Sequence, residues 1–524
     1  MSTLGALNAN GTSLSNYLAS IGLEKANDIE NEKYINVASV GSIVSTTYEQ
    51  LRNATEYAQE HLLMQKAIRR FFVRNLSFQT KTTIKKVIAE ELISELTQSG
   101  YIRNNTQPVK IIEELSSVIH RHYDNFLRFK NNGVDNYKAQ IWTLDMLSVE
   151  SERIVTKDKL QNIYAQFAFE HYQAYLNKNA FSSDEIGDAD FEASLYVSVY
   201  RSLLKSDIAI ARYNMQRLYN ISDVDINGYA KFNENIDSIF CSDLTNKITR
   251  YIDKYGAPLR ILESFIKDHN GVSSLLLNRD RFNVAFLEQI EQEYSKSGAK
   301  LNSGLIKSIV FLLITKTIIG LAVEVPYDLW ITGVVMMFPL IINLLSPVVY
   351  MALLRFGINL PNKANTKAMQ TYMDNALYGD QDKFYLLRSK VNNKKYPIGF
   401  TIVYTLMFLV VFGAVIDLLI YIGFNIAQIV IFFIFFASAS FLGFRLSRIV
   451  KELELVAGKP GLITTIRDFF FLPFTVLGKW LSEKYQKVNI IALILDTIIE
   501  LPLKTVLRLI RQWGGFIDSK KDDI

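Results

Sequence analysis

Apolar residues are distributed unevenly along the chain. Up to about residue 300 they recur at spacings of three and four, and beyond residue 305 they run together. The stretch "YEQLRNATEYAQEHLLMQKAIRRFFVRNL" places Leu51, Ala54, Ala58, Leu62, Met64, Ala67, Ile68 and Phe71 on one face of a helix. The same pattern returns in "TTIKKVIAEELISELTQSG", "VKIIEELSSVIHRHYDNFLRF", "DKLQNIYAQFAFEHYQAYL" and "FEASLYVSVYRSLLKSDIAIARYNMQRLYN", with glycines in or beside the breaks. No period-two stretch is long enough to suggest a sheet. Residues 46–304 therefore read as a helical domain large enough to bury its own core. The Ser-, Asn- and Gly-rich segment 1–45 reads as a loosely ordered lead-in.

The apolar runs predict four membrane spans. The first is about 305–325 and the second about 329–354, with Pro339 and Pro347 inside it and "EVPYDL" as the turn between them. The run 398–444 is too long for one span of about 20 residues and is expected to fold back at "YIGFN". Two transmembrane hairpins, 305–354 and 398–444, would then flank a basic loop, 355–397. That loop holds eight basic residues against three acidic ones, whereas the two expected turns carry no Lys or Arg. The positive-inside rule accordingly puts both termini and the loop in the cytoplasm. The fold class this predicts is an all-α integral membrane protein, with a cytosolic helical domain, four transmembrane helices in two hairpins and carboxy-terminal amphipathic interfacial helices.

Those last helices occupy 445–524. Phe470 and Trp480 lie among basic residues in "ITTIRDFFFLPFTVLGKWLSEKY", a composition suited to the headgroup layer. Beyond them Asp496, Glu500, Lys504 and Arg508 recur every fourth residue, so the four charges share one side of an otherwise aliphatic helix. Two such helices placed antiparallel would match charges, which allows a homo-oligomer.

Composition narrows the remaining possibilities. A net charge of +5 on 524 residues makes no case for wholesale nucleic-acid binding. With Cys241 as the one cysteine, an intramolecular disulfide and a cysteine-built metal site are excluded. The amino terminus has no secretory-signal pattern, Ser2 stands where myristoylation needs glycine, and no CaaX box closes the chain. With no organelle address visible, a bacterial plasma membrane is the expected location.

The candidate chemistry is sparse. Lys316 sits nine residues past Lys307, about 13 Å into the first span and near the bilayer centre. Such a lysine either faces a polar interior or snorkels to a headgroup. Asn343 is its neighbour by depth, and Asp417, the one carboxylate expected well inside another span, belongs nearer the outer surface. Lys66, Arg69, Arg70, Arg74, Lys81, Lys85 and Lys86 form a basic run without an acidic residue, a candidate contact for anionic lipid headgroups or simply a solvated helix face. His120 and His122 point to different faces of a helix, and no phosphate-loop, dinucleotide, zinc-protease or nucleophile-elbow motif occurs. No cofactor is implied, and catalysis is disfavoured. The sequence thus favours a membrane-anchored scaffold whose helical domain binds an unknown protein partner. The alternative is a subunit of an oligomeric channel or transporter with Lys316 and Asn343 lining the path.

Overall fold

The computed structural model describes residues 6–27, 33–37, 42–55, 60–76, 85–157, 160–181, 187–358, 360–379, 398–456 and 462–487, together with Val506, Leu509 and Trp513. The described residues are helical throughout, without a β-strand; Tyr34 and Pro108 form an isolated bridge. In chain order the helices are α1 (Ala9–Asn27), α2 (Ser42–Thr55), α3 (Glu60–Asn75), α4 (Lys85–Gln98), α5 (Ile111–Asn131), α6 (Asn136–Thr156) and α7 (Leu160–Tyr175). There follow α8 (Asp188–Ser202), α9 (Ile208–Leu218), α10 (Ile226–Cys241), α11 (Asp243–Tyr255), α12 (Ala257–Asp268) and α13 (Val272–Leu276). The apolar half contains α14 (Arg279–Ile319), α15 (Val325–Thr332), α16 (Met337–Phe356), α17 (Lys363–Tyr378), α18 (Ile398–Ile422), α19 (Ile426–Lys451) and α20 (Leu462–Lys487).

Two apolar cores fill the amino-terminal domain. One joins α3 to α6 through Phe72, Leu92, Ile119, Phe126 and Trp142. The other gathers Tyr172, Leu195, Ile252, Leu262, Phe282 and Tyr372. Helix boundaries follow side-chain capping: Asp135, Asp207, Asp225 and Ser242 each accept a backbone N–H at the start of α6, α9, α10 and α11.

Four helices are long and apolar enough to cross a membrane: Arg279–Ile331, Met337–Arg355, Ile402–Ile422 and Ile426–Lys451. The first differs from its expected outline at both ends. It begins in the amino-terminal core, where Phe282, Phe286 and Ile290 are buried, and it runs on past 325, through a π-turn at Gly320–Glu324, into α15. "EVPYDL" is thus helix and not turn. Pro326 is tolerated because it stands in the first turn of α15, directly after the π-turn, where the regular backbone pairing is already interrupted. The chain turns instead at Gly333, whose φ of 71° suits glycine, and the next apolar helix starts at Met337. Pro339 falls in the first turn of α16, leaving Pro347 as the one proline inside that helix. The break between α18 and α19 lies at Gly423 and Asn425.

Helices from the lead-in expected to be loosely ordered and from the basic loop pack into the domain core. Asn8 donates from its backbone to Leu377 O (2.8 Å) and from its side chain to Ala376 O (2.9 Å), which seats α1 on the carboxy-terminal end of α17. Gly11 permits this approach, since a Cβ there would lie 2.7 Å from Leu377 O. Within the loop read as basic, α17 buries Met369, Tyr372, Met373, Ala376 and Leu377. The lysines of that loop disguised an amphipathic helix whose apolar stripe belongs to the core.

Candidate functional site: a buried polar stripe in the apolar bundle

Lys316, Gly320, Glu324 and Asp328 stand four residues apart, and all four are buried. On a regular α-helix such a series drifts by about 40° per step. The π-turn at Gly320–Glu324 adds a residue to one turn, which offsets the drift and holds the four positions in one stripe against α16 and α19.

Lys316 donates to Asn343 Oδ1 at 2.6 Å, and its ammonium also lies 4.5 Å from the centre of the Phe435 ring. Asn343 in turn donates from Nδ2 to Glu324 Oε2 (3.0 Å) and to the Gln428 carbonyl (3.2 Å). The orientation of this amide follows from its partners, because an ammonium can only donate and a carboxylate can only accept. Asn343 therefore bridges Lys316 and Glu324, with both side-chain polar atoms engaged. The helix is itself prepared for this role: Pro347 cannot donate to the Asn343 carbonyl four residues earlier, and the Ser346 hydroxyl donates to that carbonyl at 3.2 Å.

One turn further along, Asp328 binds the start of α19 and the connection before α16. It accepts from both Gln428 Nε2 contacts (3.2 and 3.1 Å), from Asn425 Nδ2 and from the Met336 backbone N–H (3.1 Å). Asn425 and Gln428 also form a reciprocal capping box at the start of α19. Among the described residues Glu324 Oε1 has no hydrogen-bond partner, although the residue is buried.

The structure thus brings together two residues expected to be neighbours, Lys316 and Asn343, and adds Glu324, Asp328 and Gln428, which the sequence reading passed over. Glu324 and Asp328 were read as turn residues beside a proline. Their four-residue spacing from Lys316 was the available signal, and assuming a turn at "EVPYDL" concealed it. Asp417 does not join the cluster; it is exposed on α18, five residues from the end of that helix. Snorkelling does not describe Lys316, whose side chain is buried against Asn343 and Phe435.

The other expected sites are dispersed. Arg69 pairs with Asp145, Arg70 with Glu49 (2.8 Å) and Arg74 with Glu95, while Phe71 and Phe72 are buried beside them. These arginines are therefore occupied within their own domain, and Lys66 is half-buried. Lys81 and the side chains of Lys85 and Lys86 lie outside the described residues, as do Asp496, Glu500, Lys504 and Arg508. Phe470 and Trp480 are about half exposed on α20, whose other face buries Phe474 among Phe412, Phe433 and Phe436.

At the basic end of the bundle, two of the apolar helices, α14 and α19, are tied into the amino-terminal domain. Helix α14 is continuous with it. Asn365, fully buried on α17, donates to Leu453 O (2.8 Å) and Tyr294 Oη (2.9 Å) and accepts from the Leu455 and Val456 N–H groups (2.8 and 3.0 Å). Arg260 donates to Glu452 O at 2.9 Å, and Arg279 pairs with Asp374.

These features define a structure whose described residues are helical, with four helices of membrane-spanning length and apolarity, three of which pack around a buried polar stripe. No family model, curated protein or solved structure matches the chain.

Proposed function

We propose that the protein is a membrane-anchored interaction platform. Its two helical hairpins cross the bilayer with the basic end towards the cytoplasm, and its amino-terminal domain is held there in a fixed orientation to receive a protein partner. The observation that carries this reading is the clamp at the basic end: α14 runs unbroken from domain core to bundle, and Asn365 and Arg260 bind the chain where it leaves α19. A flexible tether would suffice for localisation alone; a built-in joint fixes orientation as well. In this reading the Lys316–Asn343–Glu324 bridge locks helices that lack a hydrophobic driving force between them in lipid.

The unpartnered Glu324 Oε1 favours a second reading, in which the stripe carries protons or a cation through an oligomeric assembly. Cysteine accessibility separates the two. On a Cys241→Ser background, single cysteines at Lys316 and Asn343 are treated from both sides with a membrane-impermeant thiol reagent. Protection at both positions is the expected result for an anchor, and labelling at both would replace the platform by a conducting path.

A further inference from the structure

A cavity of about 250 Å³, lined by none of the polar-stripe residues, lies between α16, α19 and α20. One of its walls is a continuous stripe of α19: Ser440, Gly443, Ser447, Lys451 and, just past the helix end, Glu454. Ser440 to Lys451 spans eleven residues, about 16 Å of helix. The facing walls, Tyr350, Leu354 and Phe471 among them, are mostly apolar.

Three observations say what this slot takes. Its rim carries Phe444 and Leu472, both exposed at the level of the apolar helices, so it opens sideways towards lipid and not into the amino-terminal domain. Its deep end holds the Ser440 hydroxyl, fully buried and without a hydrogen-bond partner among the described residues. Its other end carries an exposed cation and a half-buried carboxylate within one turn, Lys451 and Glu454. Burial raises the Glu454 carboxyl above its ordinary range, and Lys451 opposes that shift only in part. An occupant supplying a second cation near Glu454 and an anion near Lys451 would meet both groups. Arg445 and Arg448 on the same helix mark the headgroup level beside the slot.

We propose that this slot binds one phospholipid bearing an amine in a zwitterionic headgroup. Its ammonium rests at Glu454, its phosphate at Lys451, its ester region beside Ser447, and one acyl chain runs between Tyr350 and Phe471 towards the end of the slot at Ser440. Two oppositely charged groups side by side match a zwitterion better than a purely anionic headgroup, which would face Glu454 unfavourably. The site rests on the bundle lying in a bilayer and is independent of whether the bundle anchors or conducts.

The test uses the full chain in vesicles containing phosphatidylethanolamine and phosphatidylglycerol. A phosphatidylethanolamine probe carries a diazirine high on one acyl chain, and adducts are mapped by peptide mass spectrometry. Adducts are expected in Tyr350–Ile358 and Ser440–Glu454 as well as on α18, which serves as the control for general lipid exposure. Unlabelled phosphatidylethanolamine should compete about tenfold better than phosphatidylglycerol for the slot adducts, a decade of affinity for the headgroup match. Ser440→Phe should remove the slot adducts and spare those on α18. Glu454→Gln, which keeps the side chain's size, should abolish the headgroup preference. Adducts on α18 but none in the slot, or equal competition by the two lipids, overturn the proposal while leaving the bundle in the membrane. Absence of adducts from α18 as well overturns the membrane placement on which it rests.

Discussion

Two of the places where the described residues bury ionisable groups satisfy them differently. In the amino-terminal domain Arg212 is wholly buried. It donates through Nε to Asp145 (3.2 Å), through Nη1 to the Asn233 side chain and carbonyl (2.9 and 3.1 Å) and through Nη2 to Asp237. Asp145 also takes Arg69, and Asp237 takes the Trp142 indole N–H at 2.9 Å. This network crosses between α6, α9 and α10, and Asp237 reaches solvent at its edge. In the apolar bundle, by contrast, an amide intervenes between Lys316 and Glu324, and one carboxylate oxygen is left unmatched. Where water is near, a guanidinium fork can meet several acceptors directly. In a bundle surrounded by apolar surface, neutral amides do the linking between ionisable groups. The contrast indicates that the first network holds helices in a fixed arrangement, whereas the second retains a group able to accept one more hydrogen.

That comparison can be broken experimentally. The largest effect is expected from Arg212→Met. It leaves Asp145 and Asp237 without their shared cation, and unfolding of the full chain in detergent should show a loss of about 3–5 kcal/mol. A loss below about 1 kcal/mol would mean that Arg69 and Trp142 suffice and that the network is not cooperative.

A smaller effect, about 1–2 kcal/mol, is expected from Asn343→Leu, in keeping with interhelical hydrogen bonds in membranes. A double-mutant cycle with Lys316→Met sharpens this result. The two losses should be strongly non-additive, because each substitution removes the same hydrogen bond; simple additivity would dissolve the bridge as a functional unit.

The smallest effect at neutral pH concerns His171, buried against Phe167 and Tyr175 with Nε2 at 2.9 Å from Tyr372 Oη. Burial lowers its pKa to about 3, while the unfolded chain titrates near its ordinary 6.5. The unfolded state therefore binds the extra proton first, so stability is unaffected above about pH 6.5 and declines as pH falls from there towards 3. At pH 5.5 this contribution amounts to about 1 kcal/mol. Glu150 adds to acid sensitivity further down. Burial would raise its carboxyl, but His122 and Arg121 outweigh burial and hold it at about 2, so its contribution is lost as pH falls from about 4.5 to about 2. His171→Phe should flatten the unfolding midpoint between pH 6.5 and 5; an unchanged slope would assign the acid sensitivity to other groups.

The sequence by itself determined the broad layout. Helical periodicity and long apolar runs are local properties, set by 3.6 residues per turn and by the length needed to cross a bilayer, so the helical domain and four long apolar helices were legible. Lys316 and Asn343 stood out for the same reason, as polar residues in apolar surroundings. What only the tertiary structure decided was which polar residues meet. Glu324 and Asp328 looked like turn residues until a π-turn carried the helix through them, and Gln428 joined them from a helix a hundred residues away. The basic loop and the Ser- and Asn-rich start gave no sign of pairing, yet α1 meets the end of α17 through Asn8 and Gly11, and both helices pack into the same core. Local spacing reports which face of a helix is apolar; what covers that face is settled by packing between residues far apart in the chain, and one sequence does not encode that choice in any short pattern.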